Sequence, residues 1–291
     1  MLVQVIASGV CYTDLAMSMV PAEYGLWPKV LGHEGGGIIE KMGSKITHTK
    51  PGDLVLVSFD YCGETTCYNC SNGRPGYCPT FEKNITMRSE VYKLGDGKSA
   101  SGALFCQSSF SNLALSGVGA VTKLANVKET DSVAVFGLGG VGMLALMAAK
   151  IRDCYIIVGV DRVQFRLDMA KSVGVTHVIN TFEFQDLQVG LTQAIKDICK
   201  GGTSCNVDTT GVLDIIHAGG DLLDQQGQLI LTIRRCIEGS ALPKTIPQLI
   251  QWYRVGKLPV DKLLKQYAAD DFETPLEDMH TKATIKPILI W

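Results

Sequence analysis

The chain has 291 residues, enough for one large domain or two ordinary ones, and 46% hydrophobic against 19% charged residues provide for a sizeable buried core. Lys plus Arg, 27 in all, nearly balance 29 Asp plus Glu, leaving a net charge of −2. That excludes a nucleic-acid binder relying on a global basic field, and it excludes an acidic tail. Ten cysteines in a chain without a secretory leader point to metal ligands ahead of disulfides.

The stretch from Met1 to Val10 is apolar, but no Lys or Arg stands ahead of it and it runs straight into Cys11 and Asp14. It does not read as a signal peptide, so the expected compartment is the cytoplasm. Cys11-Tyr12-Thr13-Asp14 and Gly32-His33-Glu34 follow. Each is unremarkable alone, since a lone His is more often a satisfied core residue than a ligand. Residues up to about 115 are rich in Gly, Pro and short β-like runs such as Leu54 to Phe59.

Within that part, Cys62, Cys67, Cys70 and Cys78 share one Gly/Asn/Pro-rich loop, Tyr61 to Pro79. Four thiolates suit tetrahedral zinc with no open position, which is a structural site. Disulfides and four unrelated thiols are the competing readings, and a zinc-ribbon nucleic-acid module is another. The loop's only base is Arg74, which disfavours the ribbon.

From about 117 to 239 the signals alternate. Ser132 to Phe136 reads as a short strand, Val141 to Lys150 as an apolar helix, and Tyr155 to Val160 as a strand ending in Asp161. A helix over Val163 to Ser172 is stopped by Gly174, and His177 to Asn180 is a strand. Helices near Leu187 to Cys199 and Leu213 to Leu223 separate strands at Asn206 to Thr209 and Gln228 to Ile233. This order predicts βαβ units, hence a parallel sheet with helices on both faces. Ser132 to Ala149 is uncharged and reaches the lower limit of a spanning helix, about 18 residues. Its glycines divide it, and a soluble strand, turn and helix explain it better.

The turn is Gly137-Leu138-Gly139-Gly140-Val141-Gly142, and Asp161 stands 19 positions after the last glycine. A lone GxGxxG is weak, but between a strand and a helix with an acid at the next strand's end it matches the dinucleotide fingerprint. The helix N-terminus offers free N–H groups to phosphates. Asp161 is expected to accept from both ribose hydroxyls and to repel a 2′-phosphate, which favours NAD over NADP; the adjacent Arg162 works against that preference. Residues 240–291 read as helix, turn, helix and a final apolar strand, Ile285 to Trp291.

Taken in order, Gly9 to Asp14, Gly32-His33-Glu34-Gly35, Pro51-Gly52-Asp53, the cysteine loop, the glycine fingerprint and Asp161 resemble the zinc-dependent alcohol dehydrogenases of the medium-chain dehydrogenase/reductase superfamily. Within it the chain is most similar to the aryl (benzyl) alcohol dehydrogenases, with further matches at Gln107 to Phe110, Ile246 to Ile250, Asp278-Met279-His280 and Ile285-Lys286-Pro287. The resemblance implies an α/β fold: a Rossmann doubly wound parallel sheet plus a split, β-rich GroES-like catalytic domain. It implies that Cys11 and His33 are catalytic-zinc ligands, that Thr13 begins the proton relay, and that Asp14 and Glu34 are carboxylates around the metal. It gives Cys62, Cys67, Cys70 and Cys78 to the structural zinc. It gives Gly137, Gly139, Gly140, Val141, Gly142, Asp161 and Arg166 to NAD.

The chain is shorter than the family. Strands that precede the Cys11 motif are expected to be missing. So is the segment between Ser111 to Leu115 and Gly117 to Val121 that carries the third ligand of the catalytic zinc, a cysteine; a second gap follows Ile233. Two extra residues separate Cys62 from Cys67, and Ala16 stands where a relay histidine is common. With two ligands the catalytic zinc site is weakened unless Glu34 swings in; Cys106 is a less motivated candidate.

The expected organisation is a catalytic domain over 1–116, a Rossmann domain over 117–239 and a return to the catalytic domain over 240–291. The expected activity is hydride transfer from a primary alcohol to NAD, with zinc as Lewis acid. The alternative is a catalytically impaired NAD- and zinc-binding remnant. A zinc-free quinone-reductase relative would not need Cys11, His33 and the cysteine loop together. The expected partner is a small alcohol or aldehyde, without nucleic acid or membrane, and the resemblance allows a homo-oligomer.

Overall fold

The computed structural model describes every residue except 1, 22, 24–29, 45, 48, 58–65, 73–77, 80–89, 94, 102–124 and 233–241. The chain divides into two compact units, one of Met1–Asn112 with Leu264–Trp291 and the other of Leu113–Leu263. The expected return at 240 therefore comes later: the helix Leu242–Arg254 and the 3-10 turn Val260–Leu263 belong to the second unit.

In the second unit five parallel strands, β6 (Ser132–Phe136), β7 (Ile156–Asp161), β8 (His177–Asn180), β9 (Thr203–Asp208) and β10 (Leu223–Leu231), stand in the order β10-β9-β6-β7-β8. The order reverses beside β6, as in a doubly wound nucleotide-binding sheet, where ligands bind at the carboxyl ends of the strands flanking the reversal. Strands covered on both faces need continuous apolar runs, and Val133 to Phe136 are fully buried. The uncharged stretch resolves into β6 and the helix Gly140–Ile151, of which Gly142 to Ala149 are all buried. No described helix is long and apolar enough to cross a membrane.

The first unit carries a sheet ordered β11-β12-β1-β2-β3, from β1 (Leu2–Gly9), β2 (Gly35–Lys41), β3 (Leu54–Leu56), β11 (Leu264–Ala268) and β12 (Lys286–Ile290), and a separate antiparallel pair, β4 (Glu90–Lys93) and β5 (Ser99–Ser101). One strand, β1, does precede Cys11, and it lies at the sheet's centre between β12 and β2. Between the last two helices the expected turn is followed by a further strand, β11, that the sequence reading did not include. Glycine lowers strand propensity, yet β2 opens on Gly35-Gly36-Gly37 because its backbone passes close to β1. A Cβ on Gly37 would collide with the Gln4 carbonyl. Beyond Leu56 the run to Phe59 leaves the described residues at 58, and so does Ile233 at the end of the expected last Rossmann strand.

The second unit's core gathers Phe136, Val158, Leu191, Ile195, Ala218 and Leu222 between sheet and helices. Leu191→Ala removes a side chain with no solvent exposure and leaves a cavity, so urea unfolding followed by circular dichroism is expected to show a loss of about 2–5 kcal/mol. A loss below about 1 kcal/mol would mean the helix Leu187–Ile198 is not packed as described.

Candidate metal centres and nucleotide site

β1 ends at Gly9, and the Val10 N–H donates to the Pro287 carbonyl of β12 at 2.9 Å. Cys11 then occupies the N-cap of the helix Tyr12–Ser18 without a side-chain cap bond, so its thiol stays available. The helix turns Asp14 inward, where it is buried. Asp14 Oδ1 accepts from the Gly32 N–H at 3.0 Å and from His33 Nδ1 at 3.2 Å. A carboxylate only accepts, so Nδ1 carries the proton and Nε2 is left for a metal, the usual role of a carboxylate behind a ligating imidazole. Cys11 Sγ, a His33 ring nitrogen and a Glu34 carboxylate oxygen lie within 4.8 Å of one another. Sulfur, nitrogen and oxygen donors in one cluster, the thiol half-buried and the other two buried, suit zinc. Asp14 Oδ2 is buried with no hydrogen-bond partner.

Burial, the largest influence, works against charging the His33 imidazole. Its hydrogen bonds and charge attraction to Asp14 and Cys11 outweigh that and hold the pKa up at about 10. Thr13 Oγ1 accepts from the Cys11 thiol at 3.7 Å. On the other side Glu34 is ion-paired with Lys286, whose Nζ also donates to the Val10 carbonyl at 3.1 Å. Gly9 makes room for this pair, since a Cβ there would lie 2.7 Å from Lys286 Cε. Sequence reasoning assigned no role to Gly9 or Lys286. Gly9 entered only as the first residue of the Gly9 to Asp14 match, and Lys286 only in the Ile285-Lys286-Pro287 match.

Within the cysteine loop the described residues include the short helix Tyr68–Ser71, whose N-cap is Cys67. Cys67, Cys70 and Cys78 bring their sulfurs within 4.8 Å of one another, with Cys67 and Cys78 4.0 Å apart. Tetrahedral zinc with bonds of about 2.3 Å sets sulfurs about 3.8 Å apart, so the three thiols fit that ion. Cys62 and Cys106 lie outside the described residues.

In the second unit the three fingerprint glycines separate by physical role. Gly137 has φ of +85°, and a Cβ there would meet Thr209 Oγ1 at 2.6 Å. A Cβ on Gly142 would collide with the Gly137 carbonyl, whereas one on Gly139 would meet nothing within 4 Å. Gly139 therefore leaves open space beside the turn. Gly140 and Val141 form the first helical turn, which no side chain caps, leaving its N–H groups for phosphate. Asp161 Oδ2 accepts from the Leu138 N–H at 2.7 Å and Oδ1 from the Val163 N–H at 2.9 Å. Arg166 Nη1 stands 3.5 Å from Asp161 Oδ2, and Arg166 Nε is buried without a partner. Thr209, which the sequence did not single out, donates its hydroxyl to the Gly137 carbonyl at 2.8 Å and latches the turn from the end of β9.

Residues 1–135 match the family described as the alcohol dehydrogenase GroES-like domain, and residues 140–252 match the zinc-binding dehydrogenase family. The chain is 29% identical to the geraniol dehydrogenase of Castellaniella defragrans over 348 aligned positions, taking in 100% of this chain and 90% of that protein. Those positions outnumber the chain's 291 residues, so the relative carries segments that this chain lacks. A probable alcohol dehydrogenase of Pseudomonas is 32% identical over 76% of this chain and 78% of its own length. The crystal structure of benzyl alcohol dehydrogenase from Acinetobacter calcoaceticus superposes with a TM-score of 0.85 at 31% identity, over 99% of this chain and 91% of that one.

Zinc binds neutral imidazole and thiolate. With the His33 pKa at about 10, the imidazole is protonated at neutral pH and the metal must displace that proton. Zinc affinity at the Cys11–His33 cluster is therefore expected to rise with pH, by about tenfold per unit for each proton displaced. Calorimetry in buffers of different ionisation enthalpy measures the release directly; binding without proton release would contradict the geometry. Cys70→Ser is expected to remove the loop's zinc in elemental analysis, and unchanged zinc content would overturn the loop assignment.

Proposed function

The chain belongs to the zinc-binding alcohol dehydrogenase family, and from that premise we propose that it oxidises a primary alcohol, aryl or aliphatic, to the aldehyde with NAD as hydride acceptor. The observation that carries this reading is the meeting of Cys11 and His33, distant in sequence, with their donors together and Asp14 behind the imidazole. Relatives named for geraniol and benzyl alcohol support a primary alcohol next to an unsaturated or aromatic group. When bound, zinc at Cys11 and His33 supplies Lewis acidity to the alcohol oxygen, and NAD supplies the hydride acceptor.

The chain's own groups do the rest. Asp14 fixes the His33 tautomer through Nδ1 and leaves Nε2 for the metal. The Thr13 hydroxyl, beside Cys11, takes the alcohol's proton. Ala16 offers no onward acceptor, so the proton passes to water. The glycine turn and uncapped helix start hold the pyrophosphate. Asp161 receives the adenosine ribose, and Arg166 lines the same corner. The loop of Cys62, Cys67, Cys70 and Cys78 holds structural zinc and takes no part in the chemistry. Unbridged thiols throughout the described residues fit a reducing compartment, so the reading places the protein in the cytoplasm. The three-donor cluster supports an enzyme over a remnant.

Steady-state assays of benzyl alcohol and geraniol with NAD and NADP test the reading. NAD is the expected cofactor, and Asp161→Ser is expected to narrow the gap to NADP by relieving repulsion of the 2′-phosphate; equal use of both cofactors by the parent would contradict the role of Asp161. Thr13→Val keeps the shape and removes the hydroxyl, with an expected fall in kcat of about a hundredfold or more. Unchanged turnover would remove Thr13 from the relay.

A further inference from the structure

The first unit's sheet has two edge strands, β11 and β3. Natural edges are blunted by charge, proline or a cover, because their free N–H and C=O groups invite another strand. β11 follows that rule: it carries Lys265, ion-paired with Asp278. β3 does not. It is Leu54-Val55-Leu56, without charge or proline, and Leu54 is 78% and Leu56 51% exposed.

The ladder with β2 shows which backbone groups are spare. The Ile39 N–H donates to the Asp53 carbonyl at 3.0 Å and the Val57 N–H to the Gly35 carbonyl at 3.0 Å. Between them Gly36 pairs with Leu56, Gly37 with Val55 and Ile38 with Leu54. Bonded and non-bonded pairs alternate in an antiparallel ladder, so Val55 bonds to β2. The N–H and C=O groups of Leu54 and Leu56 face the open edge, with which no described strand pairs. Both leucine side chains project to one face.

Nearby charges are already engaged. Asp53 Oδ2 accepts from the Lys50 N–H at 2.9 Å, and Glu40 pairs with Lys41. A neutral edge selects no charged partner, and two copies meet on it without repulsion. The strand also reads the same in both directions, so antiparallel pairing with itself matches leucine to leucine.

We propose that β3 is a self-association edge, on which a second copy of this chain pairs antiparallel about a twofold axis at Val55. Each Leu54 then lies opposite the partner's Leu56, and those two pairs exchange four backbone hydrogen bonds. So short an interface falls well below the roughly 1,200 Å² of a stable complex, so the dimer is reversible and grows with concentration.

Sedimentation velocity of the full, zinc-loaded chain over about a hundredfold range of concentration tests this. The parent is expected to pass from monomer to dimer. Leu54→Lys alone and Leu56→Glu alone are each expected to weaken the dimer about tenfold. Mixed one to one, they are expected to restore it, because the twofold sets the new lysine against the new glutamate and leaves the other leucine pair intact. Phe182→Lys, at an exposed aromatic of the second unit, is expected to change nothing. Residue-resolved hydrogen exchange of the parent needs no variant: the Leu54 and Leu56 amides are expected to gain protection with concentration, and the Val55 amide to hold constant.

A parent that stays monomeric would overturn the proposal. So would parent-like association of either leucine variant, a mixture no tighter than its components, or concentration-dependent protection that leaves out Leu54 and Leu56. Loss of the dimer in Phe182→Lys would move the interface to the second unit.

Discussion

Four ionisable residues, Asp14, His33, Glu34 and Lys286, are each less than a tenth exposed, and they come from three separate stretches of the chain. Burying such groups is costly unless each is paired, and here each has its partner: Asp14 with His33, Glu34 with Lys286. The sheet of the first unit is what makes the pairing possible. The Gly9 N–H donates to the Glu34 carbonyl at 3.1 Å, and Val10 is tied to Pro287. Backbone from residues 9–10, 34 and 287 thus converges before any side chain is considered. Gly9 has no side chain because the Glu34–Lys286 pair fills that space. The metal-binding chemistry proposed for Cys11 and His33 depends on this convergence more than on either ligand's immediate sequence.

The nucleotide side follows a different logic. There, local backbone geometry does most of the positioning, and the glycine turn is held from three directions. Its start is tied to β7 through the Gly137 N–H and the Val160 carbonyl at 2.8 Å. Thr209 latches its first carbonyl from β9, and Asp161 accepts the Leu138 N–H from the end of β7. The strand order puts all three anchors at one edge, where the sheet's direction of winding reverses. Asp161 caps the turn with one oxygen and the start of the following helix with the other.

Local signals made the second unit legible. Ser132–Phe136 and His177–Asn180 are strands with the bounds read from the sequence, the first because both-face burial writes a continuous apolar run, the second because Gly174 ends the helix just before it. The first unit was harder to read. β1 mixes Gln4, Ser8 and Gly9 into its strand and β2 opens on three glycines, so neither carries a clean strand pattern; what makes them strands is each other and β12. β11, Leu-Lys-Gln-Tyr-Ala, has only one buried-side aromatic and was not read as a strand. The candidate ligands Cys11 and His33 were legible through motif order. The Glu34–Lys286 pair was not, because it joins opposite ends of the chain and no local pattern records such a contact.

Anomalous diffraction at the zinc edge from crystals of the zinc-loaded chain tests the central claim most directly. The account expects two zinc peaks. One lies among the cysteine-loop sulfurs, and the other lies about 2.3 Å from Cys11 Sγ and about 2.0–2.1 Å from a His33 nitrogen. A second peak away from Cys11 and His33, or no second peak at all, would contradict it.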